Sequence, residues 1–95
     1  MSLPPRIVLH SPVVDQTTLG PFVEQCLKDG VRLLAIWGEG AEALEDDVDC
    51  LVIGDGVDKS RFLVTSAHSE DSLEEVLDFA SGWHCERDGL TEVRL

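Results

Sequence analysis

The chain has 95 residues, with nineteen acids against seven Lys and Arg and a formal net charge of −12. That length holds one small domain spanning residues 1–95, able to bury roughly 60–65% of the surface its unfolded chain exposes. So acidic a surface repels phosphate polyanions, whose binding needs Lys and Arg to displace condensed counterions, which argues against nucleic acid and anionic membrane as partners.

Arg6 to His10 is a short apolar run rich in branched residues and stopped by Ser11-Pro12, which predicts a first strand buried on both faces. Leu19, Phe22, Val23, Cys26 and Leu27 then form the stripe of an amphipathic helix, with Thr17 or Thr18 to cap it, Pro21 in its first turn and Gly30 to end it. Val31 to Trp37 reads as a second strand; its run Leu33 to Trp37 is the longest uninterrupted apolar stretch and far too short to cross a bilayer.

Ala41 to Asp47 is expected to be a minor helix of about two turns, Cys50 to Ile53 a third strand, and Phe62 to Val64 a fourth that extends as far as Ser66. Leu73, Val76, Leu77 and Ala80 predict another helix, capped by Asp71 or Ser72; with Ser72 as cap, Glu75 completes a capping box. Thr91 to Leu95 closes the chain as a hairpin arm or a single edge strand.

None of the internal strands alternates polar with apolar, which is the pattern of a sheet covered on both sides. The expected fold is therefore α/β: a small three-layer sandwich, Rossmann-like or flavodoxin-like, with 3 helices on a sheet of about 4–5 strands. The sheet is expected to be mostly parallel. The link from Asp55 to Arg61 is short for a parallel crossover, so a mixed sheet with an antiparallel fourth strand is the alternative.

Gly38-Glu39-Gly40 with Ala43 spells G-x-G-x-x-A after a strand, the outline of a dinucleotide-binding turn. Glu39 and Glu42 would push carboxylates into the space a pyrophosphate needs, and like charges ~4 Å apart repel by ~1 kcal/mol even in water. The simpler reading is a tight strand-to-helix turn whose acids favour the positive end of the helix. No dinucleotide and no other cofactor is expected.

Parallel strands would gather Ser11, Trp37, Gly38, Glu39 and Asp55 at their carboxyl ends, joined by His10, Ser66 and His68 if the fourth strand is parallel too. There is no H-E-x-x-H, no G-x-S-x-G and no Cys-His order that marks a nucleophile, so no catalytic residue or metal site is assigned. Cys26, Cys50 and Cys85 are odd in number and widely spaced, and no secretory signal is visible, which suggests reduced thiols and a cytoplasmic protein. His84-Cys85-Glu86 has no partners at metal spacing and reads as the start of a turn.

The stretches "IWGEGAEALEDDVD" and "LVTSAHSEDSLEEVLDFA" resemble a family of short bacterial proteins of unassigned function, in which W-G-x-x-C/A-E leads to an acidic pair and T-x-x-H-x-x-x-S-L-E-E opens the last helix. The likeness covers about half the chain. Thr65 stands for one Thr of a usual pair, and Ala67 stands where an aromatic residue often precedes the His. The resemblance implies a free-standing α/β protein and supplies no activity.

Two functions are open at this point. One is a non-enzymatic acidic binding module that engages another protein, through a basic surface on that partner or an exposed edge pairing two copies of this chain. The other is a small enzyme or metal-dependent ligand-binding domain at the carboxyl ends of the strands, using His10, Asp55 and His68.

Overall fold

The computed structural model describes residues 3–54, 63–84 and 88–95. Its elements are β1 (Arg6–Ser11), a 3-10 turn (Gln16–Thr18), α1 (Leu19–Asp29), β2 (Leu33–Gly38), α2 (Ala41–Ile53), β3 (Val64–His68), α3 (Leu73–Gly82) and β4 (Leu90–Arg94). The sheet order is β3-β2-β1-β4 and every neighbouring pair is parallel. This is the order of the first four strands of a doubly wound Rossmann sheet.

Both faces of the central strands are apolar because alternate residues of one strand supply different cores. Ile7 and Leu9 of β1 join Leu34 and Ile36 of β2 in a core completed by Val23 and Cys26 of α1 and Leu44 and Val48 of α2. Val8, Leu33 and Ala35 point the other way and pack against Val76 and Ala80 of α3. A strand needed on both sides shows no polar alternation, which is why the period-two signal is missing from the sequence.

One expected strand is a helix. Cys50 to Ile53 forms the last turn of α2, a 13-residue helix in place of the expected two turns followed by a strand. Ala41, Leu44, Val48 and Val52 are its buried stripe, spaced three and four apart. The tetrapeptide Cys-Leu-Val-Ile carries no periodicity by itself, and only the buried positions before it show which period it continues. The strand after it is displaced accordingly: β3 begins at Val64 and runs to His68, parallel to β2, so the sheet is not mixed. The Asp55 to Arg61 link and Asp55 itself lie outside the described residues. Among the described residues the C-terminal segment is a single strand, β4, paired in parallel with β1.

The caps follow local chemistry. Gly30 ends α1 with φ 77°, its N–H turned back to the carbonyls of Cys26 and Leu27. Thr18 stands at the start of α1 without a side-chain cap bond, and the capping side chain in this region is Asp15 on the 3-10 turn. The hydroxyl and N–H of Thr17 both donate to Asp15 and hold its carboxyl below the ordinary range. Asp29 is likewise lowered, first by the N–H of Leu3, which it ties to the end of α1.

At α3 the expected capping box is present: the Glu75 N–H donates to Ser72 Oγ and the Ser72 N–H to Glu75 Oε1, both at 3.1 Å. Ser72→Ala should lower stability by about 1 kcal/mol, or about 4–8 °C in melting temperature. Ser81→Ala, on the exposed side of the same helix, should change little. Equal melting temperatures for the two variants would show that the box does not hold α3.

Candidate functional site

Parallel register lines up one row of side chains at the carboxyl edge of the sheet. His10 stands beside Trp37 and beside Arg94, and Trp37 stands beside His68. In-register neighbours of a parallel sheet share a face, and Val8 and Ala35, two residues earlier, place this face on the side of α3. His10 meets Trp37 edge to face at 5.2 Å between ring centres, and His68 lies 5.1 Å from the ring of Phe79 on α3. His10 and His68 are thus gathered at one edge, as a parallel fourth strand requires. Trp37 stands between them, two strand spacings or roughly 9–10 Å apart, so they do not share an ion or a proton.

Each imidazole has its own carboxylate. His10 Nε2 is 2.8 Å from Glu92 Oε1, and His68 Nδ1 is 2.9 Å from Asp71 Oδ2. The other ring nitrogen of His68, Nε2, is 2.9 Å from Ser66 Oγ. A carboxylate accepts only, so in the neutral ring Asp71 fixes the proton on Nδ1, and Nε2 is then the acceptor and the Ser66 hydroxyl the donor. Trp37 Nε1–H donates to the Asp71 carbonyl at 2.8 Å, which fastens the residue that orients His68.

The glycines of the G-x-G turn serve the protein's own backbone. Gly38 has φ 122°, and a Cβ there would lie 2.3 Å from the carbonyl oxygen of Ser11. Gly40 has φ 74° and is the N-cap of α2 without a side-chain cap bond. Ser11 Oγ crosses to donate to the Glu39 carbonyl at 2.6 Å. The turn also follows β2, whereas the dinucleotide fingerprint follows the first strand of its fold. After β1 the chain passes toward β4, where the Val14 N–H donates to the Leu95 carbonyl at 2.8 Å.

Two depressions open at this end of the sheet, one of them against the turn. One, of about 140 Å³, is lined by Ser11, Gln16, Glu39, Gly40 and Asp47 with apolar neighbours. The other, of about 390 Å³, is lined by Glu42, Ala67, His68, Ser69, Glu70 and Asp71. Neither has a Lys or Arg in its lining, and Glu42 bridges toward the second through the Ser69 hydroxyl at 2.6 Å. Among the described residues no group of three His, Cys, Asp or Glu could hold a metal ion. Cys26 is no nucleophile: burial, with Asp29 adding to it, pushes its thiol up to about 12. Cys50 is exposed on α2, and Cys85 and Glu86 lie outside the described residues.

Of the residues expected at this edge, His10, Ser11, Trp37, Gly38, Glu39 and His68 stand there; Ser66 lies two residues short of it in the middle of β3, level with Ala35, and Asp55 lies outside the described residues. The partners of the two histidines are not evident from the sequence in the same way: Asp71 doubles as a helix-cap candidate, with the spacing His68-x-x-Asp71 its one local signal, and Glu92, 82 positions from His10, has none.

No helix among the described residues is long and apolar enough to cross a membrane. Comparison with curated proteins and with solved structures gives no match. The chain belongs to a family described as a domain of unknown function, DUF7684, which matches residues 3–94.

Proposed function

We propose that this member of a family without an assigned activity is a binding module, and that the carboxyl edge of its sheet receives a cationic group of a protein partner. The observation that carries this reading is the pair of acidic depressions, one lined by Glu39 and Asp47 against the Gly38–Gly40 turn and the other by Glu42, Glu70 and Asp71 beside His68. Both are open and shallow, which suits a side chain presented by a partner better than an engulfed metabolite. Phosphate ligands are disfavoured by the same carboxylates, and two copies each carrying −12 would repel through this edge. A reducing, cytoplasmic setting suits the unpaired thiols of Cys26 and Cys50.

A short oligolysine peptide is a suitable probe, with binding followed by tryptophan fluorescence, since Trp37 lies beside the second depression. Glu39→Gln/Glu42→Gln/Glu70→Gln should weaken binding about tenfold, each exposed charge contributing roughly 0.5 kcal/mol. Asp46→Asn/Glu74→Gln/Asp78→Asn removes the same charge elsewhere and should change affinity less than about twofold. If both folded variants lose affinity equally, attraction is to net charge and the proposed edge is not a site.

A further inference from the structure

Resting on that reading for the charge of its ligand, we propose that Ser66, His68 and Asp71 form an acyl-accepting relay that hydrolyses small esters carrying a positive charge. The connectivity is that of a serine nucleophile with its base and orienting acid: Asp71 Oδ2 to His68 Nδ1 at 2.9 Å, His68 Nε2 to Ser66 Oγ at 2.9 Å. Ser66 and His68 are two apart on β3, so both project from the same face of the strand, and Asp71 reaches back from the turn before α3. Ser66 and His68 are both half-buried; His68 and Asp71 line the larger depression, and Ser66 stands behind them, outside its lining, where the hydrogen bond to His68 Nε2 holds its hydroxyl.

A donor for the developing oxyanion follows from the sheet. The Val64 N–H donates to the Arg32 carbonyl, so Val64, Ser66 and His68 turn their amides toward β2. The amides of Thr65 and Ala67 therefore point to the other side, where β3 is the sheet edge among the described residues. Ala67 also lines the depression beside His68. Its N–H, on the residue after the nucleophile, can receive the oxyanion.

In the first half-reaction Ser66 Oγ bonds to the ester carbonyl carbon while its proton passes to His68 Nε2. The bond to the leaving alcohol oxygen then breaks, and that proton departs on the alcohol. Water attacks the acyl-serine by the same route, gives its proton to Nε2, and releases the acid as Ser66 regains its hydroxyl. Asp71 favours the transient imidazolium. Glu42 and Glu70 oppose an oxyanion on a neutral substrate, whereas a substrate with its own ammonium group offsets that repulsion, which sets the substrate class.

The test compares a glycine p-nitrophenyl ester with p-nitrophenyl acetate, on wild-type protein, Ser66→Ala and Asp71→Asn, each checked for folding by circular dichroism. Release of nitrophenol from the glycine ester should fall about a hundredfold in Ser66→Ala, and the wild-type rate divided by the Ser66→Ala rate on the same ester, which removes the greater intrinsic reactivity of the glycine ester, should be about tenfold smaller for the acetate. A phosphonofluoridate should add to wild type at Ser66, mapped by mass spectrometry, and not to Ser66→Ala. Equal rates for folded wild type and Ser66→Ala, or an adduct confined to other residues, would overturn the relay. Oligolysine binding without Ser66-dependent turnover leaves the binding reading standing and removes this one; Ser66-dependent turnover in a protein that does not bind oligolysine does the reverse, and turnover without preference for the cationic ester overturns the substrate class.

Discussion

Gly38→Ala is expected to destabilise the protein by about 3 kcal/mol or more, equivalent to roughly 12–24 °C in melting temperature for a domain of this size. Two effects add. The backbone at φ 122° is one that L side chains rarely adopt, and the new methyl would meet the Ser11 carbonyl oxygen at 2.3 Å. That oxygen belongs to the end of a central strand, so relief requires β1 and β2 to part where they pair last. Gly40→Ala is the control. It shares the positive φ, 74°, yet its nearest neighbour would be Ser11 Oγ at 3.9 Å, so only the backbone strain of about 1–2 kcal/mol applies. Melting curves of the two variants should differ clearly, and equal losses would mean that conformation rather than crowding demands the first glycine.

Arg6→Met carries the second large effect, about 2–3 kcal/mol, read as a lower urea midpoint at unchanged slope. Arg6 is 8% exposed at the start of β1, a buried cation in a chain of net charge −12. Its Nε donates to the Trp83 carbonyl at 2.8 Å and its Nη1 to the Gly89 carbonyl at 3.4 Å. The guanidinium thereby fastens the end of α3 and the approach to β4 to the middle of the sheet. Methionine keeps roughly the volume and leaves two half-buried carbonyls, those of Trp83 and Gly89, without this donor, so the loss measures the hydrogen bonds rather than a cavity. Arg6→Lys should recover only part of it, because an ammonium cannot reproduce the fork. An unshifted midpoint for Arg6→Met would mean that these segments are held by apolar packing alone.

Of the elements, α1 and α3 were legible because each shows a buried stripe and its own stop signal: Gly30 for the first, the Ser72–Glu75 box for the second. The end of α2 was not, since four apolar residues fit a strand or a helix equally well. The candidate site divides the same way. The residues of the carboxyl edge could be named once parallel strands were assumed, while their pairing could not, because Glu92 reaches His10 only through the register of β4 on β1.

By itself the sequence determined the charge, the apolar strands and the helix stripes, all of which are properties of composition and short period. It thereby determined an α/β protein. Only the tertiary structure decided that all four strands run parallel, that His10 and His68 share an edge yet stand on either side of Trp37, and that the space beside Gly38 is filled by the Ser11 backbone. These are long-range facts. They depend on which strands lie side by side and in what register, and no local pattern of residues records that.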